Sequence, residues 1–275
     1  MGKQATLSVA VALAAMSSAS GQDSAAAAKA AAKVREVIGH MGSCADSPPN
    51  TVAGLRRAIE AGAHVSELDA RTSKDGVLVC IHDETVDKTT DGKGKVADLT
   101  LAKLQALDAG SKSSAKFANE RIPTLAAMLK AAKGKIDVMI DLKESGDEYM
   151  KKIAAVVREH GEPKRTVLGV RSVEQARWFR TNLAEARQIG LIPTKDDIKP
   201  FAEAGVKVIR LWPKWLDDKS LLATLRKLGV GLHTGAGMGT RDEVIPLLAY
   251  EPESLSSDDP ARLLRTLEEL RGPIK

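Results

Sequence analysis

The stretch Val65-Ser66-Glu67-Leu68-Asp69-Ala70, followed by Leu78-Val79-Cys80-Ile81-His82-Asp83, decides the fold. Both are apolar runs of strand length, and in each the chemically able side chains gather at the C-terminal end. Residues two apart on a strand point to one face, so the Glu67 and Asp69 carboxylates stand roughly 7 Å apart along the backbone and can share one cation. Reactive groups at the C-terminal ends of strands are the arrangement of a parallel (β/α) barrel. His40 upstream and Asp141-Leu142-Lys143 downstream extend the set, which suits a phosphorylated substrate.

Outward from this stretch, short apolar runs alternate with amphipathic helical patterns almost to the end of the chain, as repeated βα units require. Strands are predicted over 37–40, 65–69, 78–82, 136–143, 167–170, 188–192, 206–212 and 230–234. Helices are predicted over 51–61, 125–133, 149–160, 173–182, 199–204, 219–228, 241–248 and 261–270. A further short strand at 254–257 makes one too many for an eight-stranded barrel, and the pattern alone does not say which segment is surplus. The polar, glycine-punctuated segment 83–123 breaks the alternation and carries only a modest helical stretch at 101–107. Long irregular connections in compact domains usually serve function, so it reads as an insertion or lid at the catalytic end. The expected architecture is an α/β chain with a TIM-type (β/α)8 barrel over 37–275 and an inserted segment after the third strand.

The chain has 275 residues and 43% hydrophobic content, enough for one such barrel with a substantial core. Its net charge of +5 is dispersed, without a basic block or interleaved aromatics, so no nucleic-acid partner is expected and membrane contact is not indicated. Lys3 is the only charge before Asp23, Leu7 to Met16 is apolar but too short to span a bilayer, and Ala19-Ser20-Gly21 offers a cleavage site. Residues 1–21 therefore read as a signal peptide, the protein as secreted or periplasmic, and 22–36 as a linker or leading helix. Cys44 and Cys80 form no Cys-x-x-Cys pair, which excludes a structural zinc cluster. Cys80 reads as a small packed side chain rather than half of a disulfide.

The ordered segments Ile38-Gly39-His40-Met41-Gly42, Pro48-Pro49-Asn50-Thr51, Glu67-Leu68-Asp69, Lys74-Asp75-Gly76, Ile81-His82-Asp83, Lys88-Thr89-Thr90, Arg121-Ile122-Pro123-Thr124-Leu125 and Asp141-Leu142-Lys143 resemble the glycerophosphodiester phosphodiesterase family. The resemblance is densest from about 37 to 145 and thins toward Leu232-His233-Thr234 and Ser257-Asp258-Asp259-Pro260. It implies hydrolysis of a glycerophosphodiester to glycerol 3-phosphate and an alcohol, with His40 and His82 as acid/base pair. It further implies Glu67, Asp69 and Asp141 as ligands of a divalent cation, and Lys143 as a phosphate-binding charge. The chemistry agrees with the residues. Diester hydrolysis removes one proton, delivers another and must offset charge on the phosphoryl oxygens, and three carboxylates favour hard Ca²⁺ or Mg²⁺ over zinc.

This chain departs from the family pattern at three positions. Met41 stands where the family has Arg after its first histidine, Pro49 where it has Glu, and Asp141 where it has the longer Glu. Arg171 and Arg210, near predicted strand ends, are candidates to replace the missing cation. The Asp-x-Lys arrangement is similar to the sphingomyelinase D-type phospholipases, so a phospholipase acting on intact lipid is one alternative, with Trp212, Pro213 and Trp215 as its apolar rim. A non-catalytic barrel that binds phosphorylated polyols is the other.

Overall fold

A computed structural model describes residues 25–272. Nine strands form one sheet. Eight are parallel and close on themselves in the order β1 (Glu36–Gly39), β2 (Val65–Thr72), β4 (Asp137–Leu142), β5 (Thr166–Val170), β6 (Arg187–Gly190), β7 (Val208–Arg210), β8 (Gly231–Gly235) and β9 (Ser254–Ser257), which pairs back to β1. The expected barrel is therefore present, and the short run at 254–257 is one of its staves.

The surplus strand is β3 (Leu78–Cys80), which corrects the sequence reading. It runs antiparallel to β2, with Ala70 opposite Cys80 and Thr72 opposite Leu78, after a tight turn in which Gly76 takes φ 82°. Alternation of apolar residues marks a strand but carries no direction, so a hairpin and a crossover read alike. His82 consequently lies beyond an outer hairpin strand rather than at the end of a stave. The insertion follows this third strand, as expected, and so lies in the connection between the second stave and the next. It has its own small core of Val79, Ile81, Val86, Val96, Leu104, Ala109 and Ile122, and includes the helix α3 (Leu101–Ala106).

Helices α2 (Val52–Glu60), α4 (Leu125–Ala132), α5 (Asp147–His160), α6 (Val173–Asn182), α7 (Ile198–Glu203), α8 (Lys219–Leu228), α9 (Arg241–Leu248) and α10 (Pro260–Arg271) each follow a stave. Several starts are written locally: the hydroxyls of Thr51, Thr124 and Ser172 accept hydrogen bonds from backbone N–H groups in the first turns of α2, α4 and α6. Helix α5 buries Tyr149, Met150, Ile153, Ala154 and Val157, the three-to-four spacing of one apolar stripe. A leading helix over 25–31 (α1) is fastened by Arg271, which donates to the carbonyls of Ala31 and Val34. Residues 25–31 of that segment are thus helical, while the expected signal peptide lies outside the described residues.

Strand parity sorts the side chains. Leu68, Ile140, Leu142, Leu168, Val170, Ile209 and Leu232 point outward into the main core under the helices. Their alternates point inward in layers. At the bottom, Arg187 bridges Glu36 and Asp137; above lie Ile38, Val65, Met139, Val167, Ile189 and Val208; the uppermost layer is polar.

Gly39 lies just before that polar layer, where a methyl group would run into the carbonyl oxygen of Gly42 and crowd Ala58. Since backbone cannot swing aside, Gly39→Ala should destabilise the protein by about 2 kcal/mol and lower Tm by about 5 °C, readable by thermal unfolding.

Candidate active site

Two adjoining chambers open at the C-terminal end of the barrel and share His40 and His82. The inner chamber, about 250 Å³, is lined by Glu67, Asp69, Asp141, Lys143, Arg171, Arg210 and His233, all inward-parity residues of the upper layer. The outer one, about 350 Å³, lies against the insertion and is largely apolar, with Met41, Pro49, Ile81, Ala109 and Ile122 in its wall.

Glu67, Asp69 and Asp141 are 6%, 1% and 5% exposed and offer oxygens within 4.8 Å of one another. The register makes this meeting inevitable, because Asp69 is directly opposite Asp141 on the neighbouring stave. Three buried carboxylates repel one another, and the surroundings are arranged against that repulsion. Asn50 holds Asp69 in both directions, donating to Oδ2 at 2.6 Å and accepting from the Asp69 N–H at 2.9 Å. Met41 donates its N–H to Glu67 Oε2 at 2.8 Å. Both Met41 and Asn50 take positive φ, 48° and 59°, so the loop after β1 is wound left-handed to deliver these contacts. Lys143 lies 2.7 Å from Asp141 Oδ2 and 2.9 Å from Asp69 Oδ1, and Arg171 grips Asp141 through Nε and Nη2, each at 2.7 Å. Burial would raise Asp141, but Arg171 and Lys143 outweigh it and hold this carboxyl below its usual range.

The compensation is incomplete. Lys143 does not meet Asp69 Oδ1 in hydrogen-bonding geometry, and that buried oxygen is left without a hydrogen bond. Glu67 is pushed up to about 8, first by burial and then by Asp69. An orphaned oxygen and a carboxyl driven toward its neutral form are what a missing positive charge leaves behind, and an all-oxygen donor set fits a hard divalent ion. The acidic cluster can therefore hold a metal.

His40 Nδ1 is 2.7 Å from Asp258 Oδ1, and the Cys44 thiol donates to the same oxygen at 3.2 Å. Burial opposes the charged imidazole, but the Asp258 and Cys44 bonds prevail and push His40 up to about 11. His82, with a side chain 47% exposed, pairs Nδ1 with its neighbour Asp83 at 2.6 Å. His233 also lines the inner chamber. It is buried against Ser254 and pushed down to about 3, chiefly by burial and then by Arg210, so it is a neutral wall group.

The family model for glycerophosphoryl diester phosphodiesterases matches residues 40–190. A curated glycerophosphodiester phosphodiesterase of Caldanaerobacter subterraneus is 32% identical over 235 residues, covering 83% of this chain and 96% of its own. The chain belongs to that family. Among solved structures, a glycerophosphodiester phosphodiesterase of Agrobacterium tumefaciens superposes with TM-score 0.69 at 28% identity over 83% of this chain and 98% of its own. An Oleispira antarctica phosphodiesterase, solved in complex with the product sn-glycerol-3-phosphate, shares the fold with TM-score 0.76 at 21% identity over 86% of this chain and 98% of its own. This phosphodiesterase family member is accordingly a phosphoric diester hydrolase on a TIM barrel.

The six predicted site residues, His40, His82, Lys143, Glu67, Asp69 and Asp141, all line the inner chamber. Lys143 is held by the carboxylates as an ion pair. Arg171, one candidate replacement cation, is committed to Asp141, whereas Arg210 is not. The sequence reading assigned no role to Asn50 or Asp258. Asn50 carried a usable signal, since Asn is among the few residues that tolerate left-handed backbone. Asp258 meets His40 across 218 positions, and no local pattern announces that. Cys44 and Cys80 are both free.

Asp258→Asn removes the acceptor that keeps His40 charged. In cation-free protein, the wild-type His40 ring signals should show no titration between pH 5 and 9 by NMR, and those of the variant should titrate at lower pH. Folding raises this imidazole from 6.5 to about 11, so its contribution to stability is full below pH 6.5 and declines as pH rises toward 11. The variant's unfolding free energy should be flatter across that window.

Proposed function

We propose that this phosphodiesterase hydrolyses glycerophosphodiesters to glycerol 3-phosphate and an alcohol, with Ca²⁺ or Mg²⁺ at Glu67, Asp69 and Asp141. The observation that carries the reading is the placement of both histidines at the junction of the two chambers, beside the carboxylate cluster. A phosphorus atom at that junction has one imidazole available to take the proton of the attacking oxygen and another to protonate the departing alkoxide. The bound ion would act as a Lewis acid toward a phosphoryl oxygen. His40 is oriented by Asp258, and His82 by Asp83, so each ring presents its remaining nitrogen in a fixed direction. Lys143 stands in the wall as a further point charge. The inner chamber takes the glycerol phosphate portion and the apolar outer chamber the alcohol. The N-terminal pattern supports a secreted or periplasmic location.

The phospholipase alternative has less support, since of its expected apolar rim only Pro213 is exposed. Trp212 lies under the Arg210 guanidinium and Trp215 packs against the main core. Among the described residues, the exposed large hydrophobics are Leu228 and Ile245, on the outer helices α8 and α9.

Incubated with glycerophosphocholine and Mg²⁺ or Ca²⁺, the protein should release glycerol 3-phosphate, and chelation should stop it. His40→Ala and His82→Ala should each cost about 10²-fold or more in kcat, with cation affinity by calorimetry unchanged. Absent product, or cleavage confined to a sphingolipid or phospholipid, would refute this substrate assignment.

A further inference from the structure

Arg210 is the one chamber cation, among the described residues, with neither a carboxylate partner nor a hydrogen bond. It ends β7 at an inward position, with its guanidinium carbon 4.2 Å from the centre of the Trp212 ring. Its Nε is buried and without an acceptor. Lys143 and Arg171, by contrast, are spent on Asp69 and Asp141. An arginine does not escape burial by losing its proton, so leaving its buried Nε unmatched is costly. A fold that retains such a group beside a cavity has a place for an anion.

The ring order says where that anion sits. In the closed sheet β7 is four staves from β2 in either direction, so Arg210 faces Glu67 and Asp69 across the chamber. A phosphoryl group between them meets the carboxylate-bound cation on one side. On the other it meets a planar guanidinium fork, whose paired N–H donors match two phosphoryl oxygens. The Trp212 face beneath holds that fork flat, through a cation–π contact that leaves its edge donors free. Met41, by comparison, contributes only its backbone N–H to the cluster.

We propose that Arg210 is the phosphoryl-gripping residue of this enzyme and that Trp212 is its positioning residue. The inference rests on the reading of the inner chamber as the phosphodiester site, and it is tested by binding rather than turnover. The full-length protein is titrated calorimetrically with inorganic phosphate and with glycerol 3-phosphate, each with and without Mg²⁺, and unfolded thermally in parallel. Arg210→Met should lower affinity for both anions at least tenfold and leave Mg²⁺ affinity in place. Its Tm should match or exceed that of the wild type, because a buried donor without an acceptor has been removed. Arg210→Lys, a charge without a fork, should fall between the two.

Several results would overturn the proposal: wild-type protein that binds neither anion, Arg210→Met that binds phosphate as tightly as wild type, or loss confined to glycerol 3-phosphate. So would an Arg210→Met variant that fails to fold or melts several degrees lower, since Arg210 would then be structural. If hydrolysis of glycerophosphodiesters fails while phosphate binding still depends on Arg210, the substrate reading alone is wrong.

Discussion

Three carboxylates buried within 4.8 Å of one another are the constraint around which the upper half of this barrel is organised. In a poorly polarisable interior their repulsion is large, and the fold brings partners from three segments to oppose it. The left-handed loop after β1 supplies Asn50 and the Met41 amide, the end of β4 supplies Lys143, and the end of β5 supplies Arg171. These partners bring Asp141 below its usual range but leave Glu67 pushed up to about 8, so the remaining repulsion is relieved either by a proton on Glu67 or by a further positive charge. A cluster able to hold a cation is thus part of the packing rather than an addition to the surface.

The same parity that forces the carboxylates together also separates stability from chemistry. Outward positions on each stave feed the layer under the helices, and inward positions change from ionic to apolar to polar up the barrel axis. Substitution of an outward residue disturbs packing, whereas substitution in the upper inward layer alters the lining of the chamber. Arg210 and His233 show how that layer tunes itself. The arginine's charge helps keep the histidine neutral, so the imidazole does not add to the chamber's positive charge.

Much of this was legible in the sequence because its determinants are local. Apolar alternation and Thr or Ser caps locate most staves and helices, and the i, i+2 spacing of Glu67 and Asp69 places both on one face. What escaped is set by distant contacts. The direction of β3 depends on its pairing with β2, and that the short strand Ser254–Ser257 is a stave rather than the surplus one depends on its pairing with β1 and β8. The Asp258–His40 contact, likewise, exists only once the barrel has closed.

Crystals of the protein equilibrated with Mn²⁺ and measured at the manganese absorption edge test the central claim most directly. The account predicts a single strong anomalous peak in the inner chamber, about 2.0–2.6 Å from oxygens of Glu67, Asp69 and Asp141. No peak there, or one confined to the His40, Cys44 and Asp258 cluster at the outer edge, would contradict it.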